Sequence, residues 1–245
     1  MGEFENKRVL VTGGSRGIGL GIAKHFAGQG AWVAICGRKE ANLAKAKAEI
    51  GNLLAIPANL GKVEDVENLF ITLRSEFGGL DLLINNMGMN IFTPSTVEAD
   101  VALWEKIMDS NLKSAFLCSR QAFPMMKERG GSIINISSTA AHRAAPGMGI
   151  YGIAKAGMEM LTKVLAKELA AYGIRVNAVA PGVVETDFSK PFWSEEAFLK
   201  EILKGVPQGR IAKIEDVVQM VDFLASRNSA YLTGEIISLC GGAEA

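Results

Sequence analysis

The chain has 245 residues, 49% of them hydrophobic and 21% charged, which fits one α/β domain with a complete core rather than two small domains. Lys plus Arg equals Asp plus Glu at 26 each, so nothing supports binding to nucleic acid or to an anionic membrane surface. No run reaches the ~18 apolar residues of a membrane span, and the N-terminus lacks the apolar core of a signal peptide. A cytoplasmic location is therefore expected.

The three cysteines are widely spaced and follow no metal-ligand pattern, so they are predicted to be reduced packing residues. Only two histidines are present, His25 and His142. Neither a metal site nor a histidine-based catalytic triad is expected.

A glycine-rich turn follows the first predicted strand. The run 9–11 is apolar throughout, as in a parallel strand covered on both faces, and V-L-V-T-G-G-S-R-G-I-G leads into a helix over about 17–29. Gly13, Gly17 and Gly19 would let a pyrophosphate approach backbone N–H groups at the positive end of that helix. A lone glycine-rich turn could be an ordinary strand-to-helix connection. The strand before it and the helix after it favour dinucleotide binding.

The second predicted strand, 31–36, ends in Gly37-Arg38-Lys39. A fold that selects NAD usually carries an acidic residue about 20 positions after the glycine motif, whereas Arg there accommodates the 2′-phosphate of NADP. Arg38 stands at that place, and Arg16 in the glycine loop could reach the same phosphate. The alternative is that Arg38 and Lys39 are solvated charges at the start of a helix over about 39–50. The two cations together favour NADP.

Strand and helix patterns continue to alternate, which predicts a doubly wound parallel sheet with ligands at the carboxyl ends of its strands. Asn111 interrupts a long helical stretch; it is either functional or a buried amide bonded to backbone. The further predicted elements are strand 53–58, helix 63–77, strand 80–85, helix 101–128 broken near 111, strand 132–137, strand 174–180, helix 214–225 and strand 235–239.

Ser138 follows the fifth predicted strand, and Tyr151 and Lys155 follow it on one predicted helix. Their spacing of four residues puts the phenol and the ammonium on one helix face. A cation beside a phenol lowers the pKa of the phenol from its usual value near ~10, as a general acid or base at neutral pH requires. A lone Tyr-x-x-x-Lys would usually be a surface pair. The upstream serine and glycine turn favour a catalytic group.

The motifs that carry a family resemblance are Thr12-Gly13-Gly14-Ser15-Arg16-Gly17-Ile18-Gly19, Asn85-Asn86-x-Gly88, Asn111, Ser138, Tyr151-x-x-x-Lys155, Pro181-Gly182 with Thr186, and the ending Leu232-Thr233-Gly234-Glu235 with Gly241-Gly242. In this order they resemble a classical short-chain dehydrogenase/reductase, and most specifically the bacterial 3-oxoacyl-[acyl-carrier-protein] reductases. The resemblance implies a single-domain Rossmann fold over 1–245, with a doubly wound seven-stranded parallel sheet and helices on both faces.

The same resemblance implies a hydride-transfer site that uses NADP(H). Tyr151 would donate a proton to the carbonyl oxygen, and Ser138 would hydrogen-bond and position that oxygen. Lys155 would bind the nicotinamide ribose and lower the phenol pKa, and Asn111 would hold a water that links Lys155 to solvent. The implied cofactor site consists of Gly13, Ser15, Arg16, Gly17, Ile18, Gly19, Arg38, Asn59, Leu60, Asn86, Gly88, Tyr151, Lys155, Pro181, Gly182, Val184 and Thr186, with Val184 and Thr186 at the carboxamide.

The sequence departs from the family pattern at three positions. Met87 replaces the usual Ala and Asn59 the usual Asp, so the adenine and ribose contacts there are expected to differ in detail. Carrier-protein reductases commonly carry Arg where this chain has Tyr172, although Arg129 matches a second basic docking position. One cation docks an acidic carrier protein less well than two, so a small-molecule substrate is favoured over a carrier-bound chain.

A lid is predicted over about 183–210, because the connection after the sixth strand is too long for a simple turn. Four aromatic residues lie along it, and they form either the lid's own small core or a wall around an apolar substrate. The candidate substrate residues are Phe188, Phe192, Trp193 and Phe198 of the lid, with Met89, Ile91 and Met148 opposite.

The favoured function is an NADPH-dependent carbonyl reductase acting on an apolar ketone or a 3-oxoacyl derivative. A secondary-alcohol dehydrogenase running the same chemistry oxidatively is the alternative, and a non-catalytic dinucleotide-sensing regulator is a further one. Family members pair their long helices and their last strands across two-fold axes, so a homotetramer is expected. The apolar run Ile236, Ile237 and Leu239 would otherwise lie at an exposed sheet edge.

Overall fold

Seven strands form one parallel sheet in the computed structural model of the chain, which describes residues 2–245. The strands are β1 (Arg8–Thr12), β2 (Trp32–Gly37), β3 (Leu53–Pro57), β4 (Leu82–Asn85), β5 (Gly131–Ile136), β6 (Ile174–Pro181) and β7 (Ile236–Leu239). Their order is β3-β2-β1-β4-β5-β6-β7, and every neighbouring pair is parallel. The doubly wound sheet predicted from the sequence is confirmed.

Helices cover both faces of this sheet. They are α1 (Gly17–Gly28), α2 (Glu40–Ile50), α3 (Val63–Phe77), α4 (Val101–Met108), α5 (Ser114–Met126), α6 (Gly149–Leu169), α7 (Glu196–Lys204) and α8 (Ile214–Ala225). The predicted helices lie where expected, with ends that differ by at most three residues. Helix α7, inside the lid, was not predicted.

Alternate residues of each strand face two separate hydrophobic layers. In β1, Val9 and Val11 pack in one layer with residues of α1 and α8, such as Phe26. Leu10 points to the other face and packs in the layer that contains Leu73 of α3 and Leu117 of α5. Burying a side chain of this size contributes roughly 1.5–3 kcal/mol. The continuous apolar run in β1 therefore exists because both faces are covered.

The break predicted near Asn111 is a π-helical turn. Helix α4 ends at Met108, residues Asp109–Lys113 form the turn, and α5 begins at Ser114. A turn of this kind often occurs at a functional site. Here it places the fully buried Asn111 beneath the loop that follows β4.

Two global features bear on the expectations of location and metal binding. None of the helices in residues 2–245 is long and apolar enough to cross a membrane. The same residues contain no group of three or more His, Cys, Asp or Glu side chains placed to hold a metal ion. Cys36 and Cys118 are free and buried, and burial raises the pKa of the Cys36 thiol to about 12.

Candidate active site

A cleft of about 1540 Å³ opens at the carboxyl end of the sheet. It extends across the point where the strand order reverses between β1 and β4, the usual ligand position in a doubly wound sheet. Most of the predicted site residues line it: Gly13, Ser15, Arg16, Gly17, Ile18, Gly19, Arg38, Asn86, Gly88, Met89, Ser138, Met148, Tyr151, Lys155, Pro181, Gly182, Val184, Thr186, Phe188, Phe192 and Phe198.

Thr12 joins the glycine loop to the end of β4. Its buried hydroxyl donates to the Ile84 carbonyl at 3.2 Å and accepts from the backbone N–H groups of Asn86 and Met87 at 2.9 and 3.0 Å. The Asn86 amide in turn donates to the Thr12 carbonyl at 2.8 Å. These bonds hold the two walls of the crevice at a fixed separation.

Two glycines of the loop fill places where no side chain fits. A Cβ on Gly14 would lie 2.4 Å from Ile35 Cγ2, and one on Gly19 would lie 2.5 Å from the Gly13 carbonyl oxygen. Within residues 2–245, no side chain caps the N-terminus of α1. A close backbone approach followed by an uncapped helix start suits a pyrophosphate, so this end of the cleft fits a dinucleotide.

Three basic side chains border the nucleotide end of the cleft. Arg16 precedes α1, and Arg38 and Lys39 follow β2. All three are exposed and line the cleft. No acidic residue stands at the end of β2, where an NAD-selective fold would use one to bind the ribose.

Tyr151 and Lys155 lie one turn apart on α6, as predicted, and both are buried. The Tyr151 phenol lies beside the Ser138 side chain, whose hydroxyl accepts from the backbone N–H of Ala140 at 3.2 Å. The Lys155 ammonium donates to the Ile136 carbonyl at 2.7 Å and lies 5.6 Å from the centre of the Tyr151 ring. Strand β5 and helix α6 thus bring the three side chains together.

The pKa of the Tyr151 phenol is shifted upwards, opposite to the direction predicted from the sequence. Burial raises the pKa of Tyr151 to about 12, although the hydrogen bond with Ser138 opposes the rise. Burial also lowers the pKa of Lys155 to about 7, against the negative charge of Glu159. Burial thus shifts both pKa values towards the neutral forms of the two groups.

Asn111 faces the same region from below. Its Nδ2 donates to the carbonyl oxygens of Met89 and Ile107 at 2.7 and 2.8 Å, and its Oδ1 accepts from the Met89 N–H at 3.3 Å. A Cβ on Gly88 would lie 2.8 Å from Asn111 Oδ1 and 3.5 Å from Lys155 Nζ. The amide thus faces the ammonium across Gly88, while its backbone bonds also give it a structural role.

Besides Asn111, four predicted site residues do not line the cleft, and one of them, Ile91, packs against the small apolar cluster that contains Tyr151. The Asn59 side chain accepts from the Gly61 N–H at 3.3 Å, and Leu60 is buried in the layer beside α3. Trp193 is turned so that its indole N–H donates to the Ser189 hydroxyl at 3.1 Å. Two of these residues support the surrounding loops, and Leu60 belongs to the core.

The lid is closed at its base. Val184 pairs with Ala212 in an isolated parallel bridge, with the Glu185 N–H donating to the Ala212 carbonyl at 2.8 Å. Helix α7 lies between these two ends. Phe188 approaches the catalytic phenol, with 6.3 Å between its ring centre and that of Tyr151, whereas Phe192 packs 6.5 Å from Phe198. The contact of Phe188 with Tyr151 fits a wall around the substrate, whereas the contact of Phe192 with Phe198 fits a small core within the lid.

Two polar residues near the catalytic group were not predicted as site residues. Glu159 lies one turn beyond Lys155 on α6, and His142 lies four residues beyond Ser138. The i, i+4 spacing of Glu159 from Lys155 is a signal in the sequence. Nothing in the sequence indicates the contact that His142 makes with the C-terminal residues.

Comparisons with known proteins agree with this geometry. A family model described as enoyl-(acyl carrier protein) reductase matches residues 13–244. Dehydrogenase/reductase SDR family member 4 of Oryctolagus cuniculus is 38% identical over 243 residues, which cover 97% of this chain and 94% of the relative. The 3-oxoacyl-[acyl-carrier-protein] reductase of Chlamydia muridarum is 38% identical over 247 residues, 97% of each chain.

Solved structures place the fold in the same group. A protein from Sinorhizobium meliloti described as a short-chain alcohol dehydrogenase has a TM-score of 0.93 at 36% identity, over 98% of this chain and 97% of its own. A short-chain type dehydrogenase/reductase from Mycobacterium ulcerans has a TM-score of 0.95 at 28% identity, over 98% of this chain and 90% of its own. The chain therefore belongs to the short-chain dehydrogenase/reductase family, oxidoreductases that interconvert carbonyls and alcohols with a nicotinamide dinucleotide.

Proposed function

We propose that the protein is an NADPH-dependent carbonyl reductase that converts a ketone of an apolar or 3-oxoacyl-type substrate into a secondary alcohol. The observation that carries the proposal is the group at the cleft formed by the buried Tyr151 and Lys155 and the half-buried Ser138, in which the phenol keeps its proton at neutral pH. A proton donor is what carbonyl reduction requires, since the product oxygen must gain a proton.

The chain's own residues divide the work. Ser138 donates a hydrogen bond to the carbonyl oxygen and holds it beside the phenol, and Tyr151 delivers the proton to that oxygen. Lys155 lies behind the phenol, where it binds the nicotinamide ribose and stabilises the phenolate that remains after the proton has left. Gly13, Ser15, Gly17, Ile18, Gly19, Asn86, Gly88, Pro181, Gly182, Val184 and Thr186 hold the dinucleotide. When bound, the reduced cofactor supplies the hydride to the carbonyl carbon.

Arg38 and Arg16 select NADPH in this proposal. NADP differs from NAD only by the 2′-phosphate, so contacts to the rest of the cofactor cancel when the two are compared. An exposed guanidinium forms paired, charge-assisted hydrogen bonds with a phosphate, and such bonds contribute about 1.5–3 kcal/mol each before screening by salt. The absence of an acidic side chain after β2 removes the repulsion that the phosphate would meet.

An apolar ketone fits the substrate end of the cleft, because Met89, Met148, Phe188 and Phe192 line it. The Chlamydia muridarum relative is named for a 3-oxoacyl chain on a carrier protein. In this chain, however, Arg129 precedes β5 and borders a pocket at the amino edge of the sheet, opposite the cleft. Tyr172, in place of the second docking Arg, packs against Phe123 with 4.9 Å between ring centres. A free ketone or thioester is therefore favoured over a carrier-bound one.

A cofactor-oxidation assay tests the proposal, with ketones and 3-oxoacyl thioesters in one direction and secondary alcohols in the other. Wild type should prefer NADPH to NADH by at least about tenfold in kcat/KM. Arg38→Asp should remove or invert this preference while sparing NADH turnover, because a carboxylate repels the phosphate and accepts from a 2′-hydroxyl. Lys47→Asp, on the exposed surface of α2, is the charge-matched control. Equal loss with both cofactors, or no turnover of any ketone, would refute the assignment.

A homotetramer goes with this proposal. Phe116 of α5 and Ile153 and Met160 of α6 are exposed large apolar side chains. Strand β7 lies at the edge of the sheet, where unpaired backbone groups invite pairing with a second copy. Light scattering at micromolar concentration should give four times the mass of the chain, and a monomer would contradict the expectation.

A further inference from the structure

The C-terminal residues return to the cleft after β7. Residues 238–245 line it, on the side where the lid ends. Gly241 and Gly242 have φ values of +62° and +88°, which glycine adopts readily. A Cβ on Gly241 would lie 2.9 Å from Val206 Cγ1, and one on Gly242 would lie 3.0 Å from Pro207 Cγ. Gly241 and Gly242 therefore pack directly against the end of the lid.

A histidine joins this segment to the catalytic helix. His142 Nδ1 lies 2.9 Å from Glu244 Oε2, and His142 Nε2 lies 3.0 Å from Glu159 Oε1. Each carboxylate has a second partner: Ser137 Oγ donates to Glu159 at 2.8 Å, and Ser238 Oγ donates to Glu244 at 2.6 Å. The two carboxylates are 13% and 16% exposed, so the bridge is largely shielded from water.

The bridge consists of one imidazole between two carboxylates, an arrangement that is strongest when the imidazole is charged. Neutral imidazole has one N–H, whereas imidazolium has two, so both carboxylates are hydrogen-bonded only when His142 is charged. Partial burial lowers the pKa of His142, but the hydrogen bond to Glu244 and the charge of Glu159 outweigh it, and the pKa is raised. Charge-assisted bonds are roughly twice as strong as neutral ones. Removing the imidazole would leave two carboxylates facing each other.

The bridge connects parts of the chain with different tasks. His142 lies just beyond Ser138, and Glu159 lies one turn beyond Lys155, so two of its members are fixed to the catalytic elements. Its third member, Glu244, belongs to a segment without regular secondary structure at the end of the chain. The lid contacts of Gly241 and Gly242 then make this segment a wall between the lid and the catalytic helix.

We propose that residues 241–245 form the outer wall of the substrate end of the cleft, and that the Glu159–His142–Glu244 bridge holds this wall in place and so limits the length of ketone that the enzyme accepts. The inference rests on the proposed reductase function. A short ketone occupies the space beside Tyr151 alone, whereas a long one must extend past the wall. Loosening the wall therefore favours long substrates over short ones.

Kinetics on a series of methyl ketones, from butan-2-one to dodecan-2-one, test whether residues 241–245 limit the length of the substrate. In His142→Gln and Glu244→Gln, the ratio of kcat/KM for the longest to the shortest ketone should rise by about tenfold, the size of effect that contacts with one methylene make to specificity. Deletion of residues 243–245 should raise it at least as much. Glu76→Gln, an exposed carboxylate on α3, is the matched control and should leave the ratio unchanged. An unchanged ratio in the deletion variant would overturn the proposal.

Hydrogen exchange tests the bridge without turnover. The N–H groups of Ala243 and Gln208 donate to the carbonyls of Cys240 and Gly241, so their exchange reports whether the segment stays closed. His142→Gln should speed exchange across 240–245 relative to wild type, and Glu76→Gln should not. If wild type reduces no ketone but exchange changes as expected, the proposed function fails and the bridge stands. If ketones are reduced but exchange is unchanged, the bridge does not hold the wall and this inference fails alone.

Discussion

The two ends of the cleft are built on different principles. At the nucleotide end, the chain presents backbone, and a Cβ added at Gly14 would come within 2.4 Å of a core side chain. At the substrate end, it presents side chains, and those of Phe188 and Phe198 remain 45% and 51% exposed. The first end is fixed by close backbone packing, whereas the second can change its shape by changing or moving single residues.

This difference explains how one fold serves different substrates. Backbone N–H groups and a helix terminus recognise the phosphates that all dinucleotides share, so that end has little freedom to vary. In the proposed function, aromatic side chains of the lid and the Met side chains opposite it recognise apolar shape, which differs between ketones. Tyr151, Ser138 and Lys155 lie where the two ends meet.

Tyr151→Phe, at the junction, should have the largest effect. The ring and its packing stay, but the proton donor is lost, so kcat should fall at least about 10²-fold, as is typical when a general acid is removed. The affinity for NADPH, measured by fluorescence titration, should change little because the glycine loop is untouched. Tyr231→Phe, on a fully exposed ring, is the control. Turnover within a fewfold of wild type would show that another group supplies the proton.

The same contrast accounts for what the sequence could predict. The glycine spacing and the Tyr-x-x-x-Lys spacing are local patterns, and the structure brings both to the cleft. The wall at the substrate end arises from contacts among His142, Glu159 and Glu244, which lie in three separate segments with no periodic relation. The predicted direction of the shift in the phenol pKa was wrong. Sequence spacing shows that Tyr151 and Lys155 are neighbours, but it does not show how deeply both are buried.

Helix α7 was also not predicted, although the sequence contains a signal for it. Its apolar residues follow helical spacing, and Glu196 and Lys200 form an i, i+4 ion pair at 2.8 Å. The length of this connection and its aromatic residues indicated a lid instead. Helix α7 lies within the segment predicted as a lid, so that prediction omitted the helical structure of the segment.

Gly19→Ala tests whether the nucleotide end is as rigid as the geometry indicates. The added Cβ would lie 2.4 Å from Asn86 Nδ2 and 2.5 Å from the Gly13 carbonyl oxygen, and the second contact is with backbone. Such overpacking should lower the free energy of unfolding by about 1–3 kcal/mol, and NADPH affinity should fall with it. Urea unfolding and fluorescence titration measure the two effects.

Gly28→Ala, on the same helix, provides the matched control. No atom lies within 4 Å of a Cβ at that position, so alanine should raise the free energy of unfolding by about 0.4–1 kcal/mol by restricting the unfolded chain. Equal effects of the two substitutions would mean that the nucleotide end can relax around a side chain. The nucleotide end would then be no more rigid than the substrate end.

A further predicted effect is a slope of stability with pH, and it comes from the buried amine of Lys155, where the two ends of the cleft meet. Burial lowers the pKa of Lys155 from 10.5 to about 7 in the folded chain. Between these values the unfolded chain binds a proton that the folded chain does not, so the free energy of unfolding rises with pH. The gain is complete above the unfolded pKa and is lost as pH falls through the folded one. Its slope is up to about 1.4 kcal/mol per pH unit.

Tyr151 changes the free energy of unfolding in a different pH range and in the opposite direction. Burial raises its pKa from 10.0 to about 12, so above pH 10 the unfolded chain loses its proton first and stability falls. The raised pKa values of the buried Cys36 and Cys118 thiols also lower stability around pH 9 and above, but wild type and variants share this effect. The difference between the urea unfolding curves of wild type and Lys155→Met, measured without nucleotide from pH 7 to 10, therefore isolates Lys155. Lys155→Met should flatten the curve relative to wild type, whereas Lys47→Met on the exposed face of α2 should keep the wild-type slope. Parallel curves for wild type and Lys155→Met would mean that Lys155 stays charged in the folded chain. Its charge would then be available to Tyr151, as the spacing of the two residues first indicated.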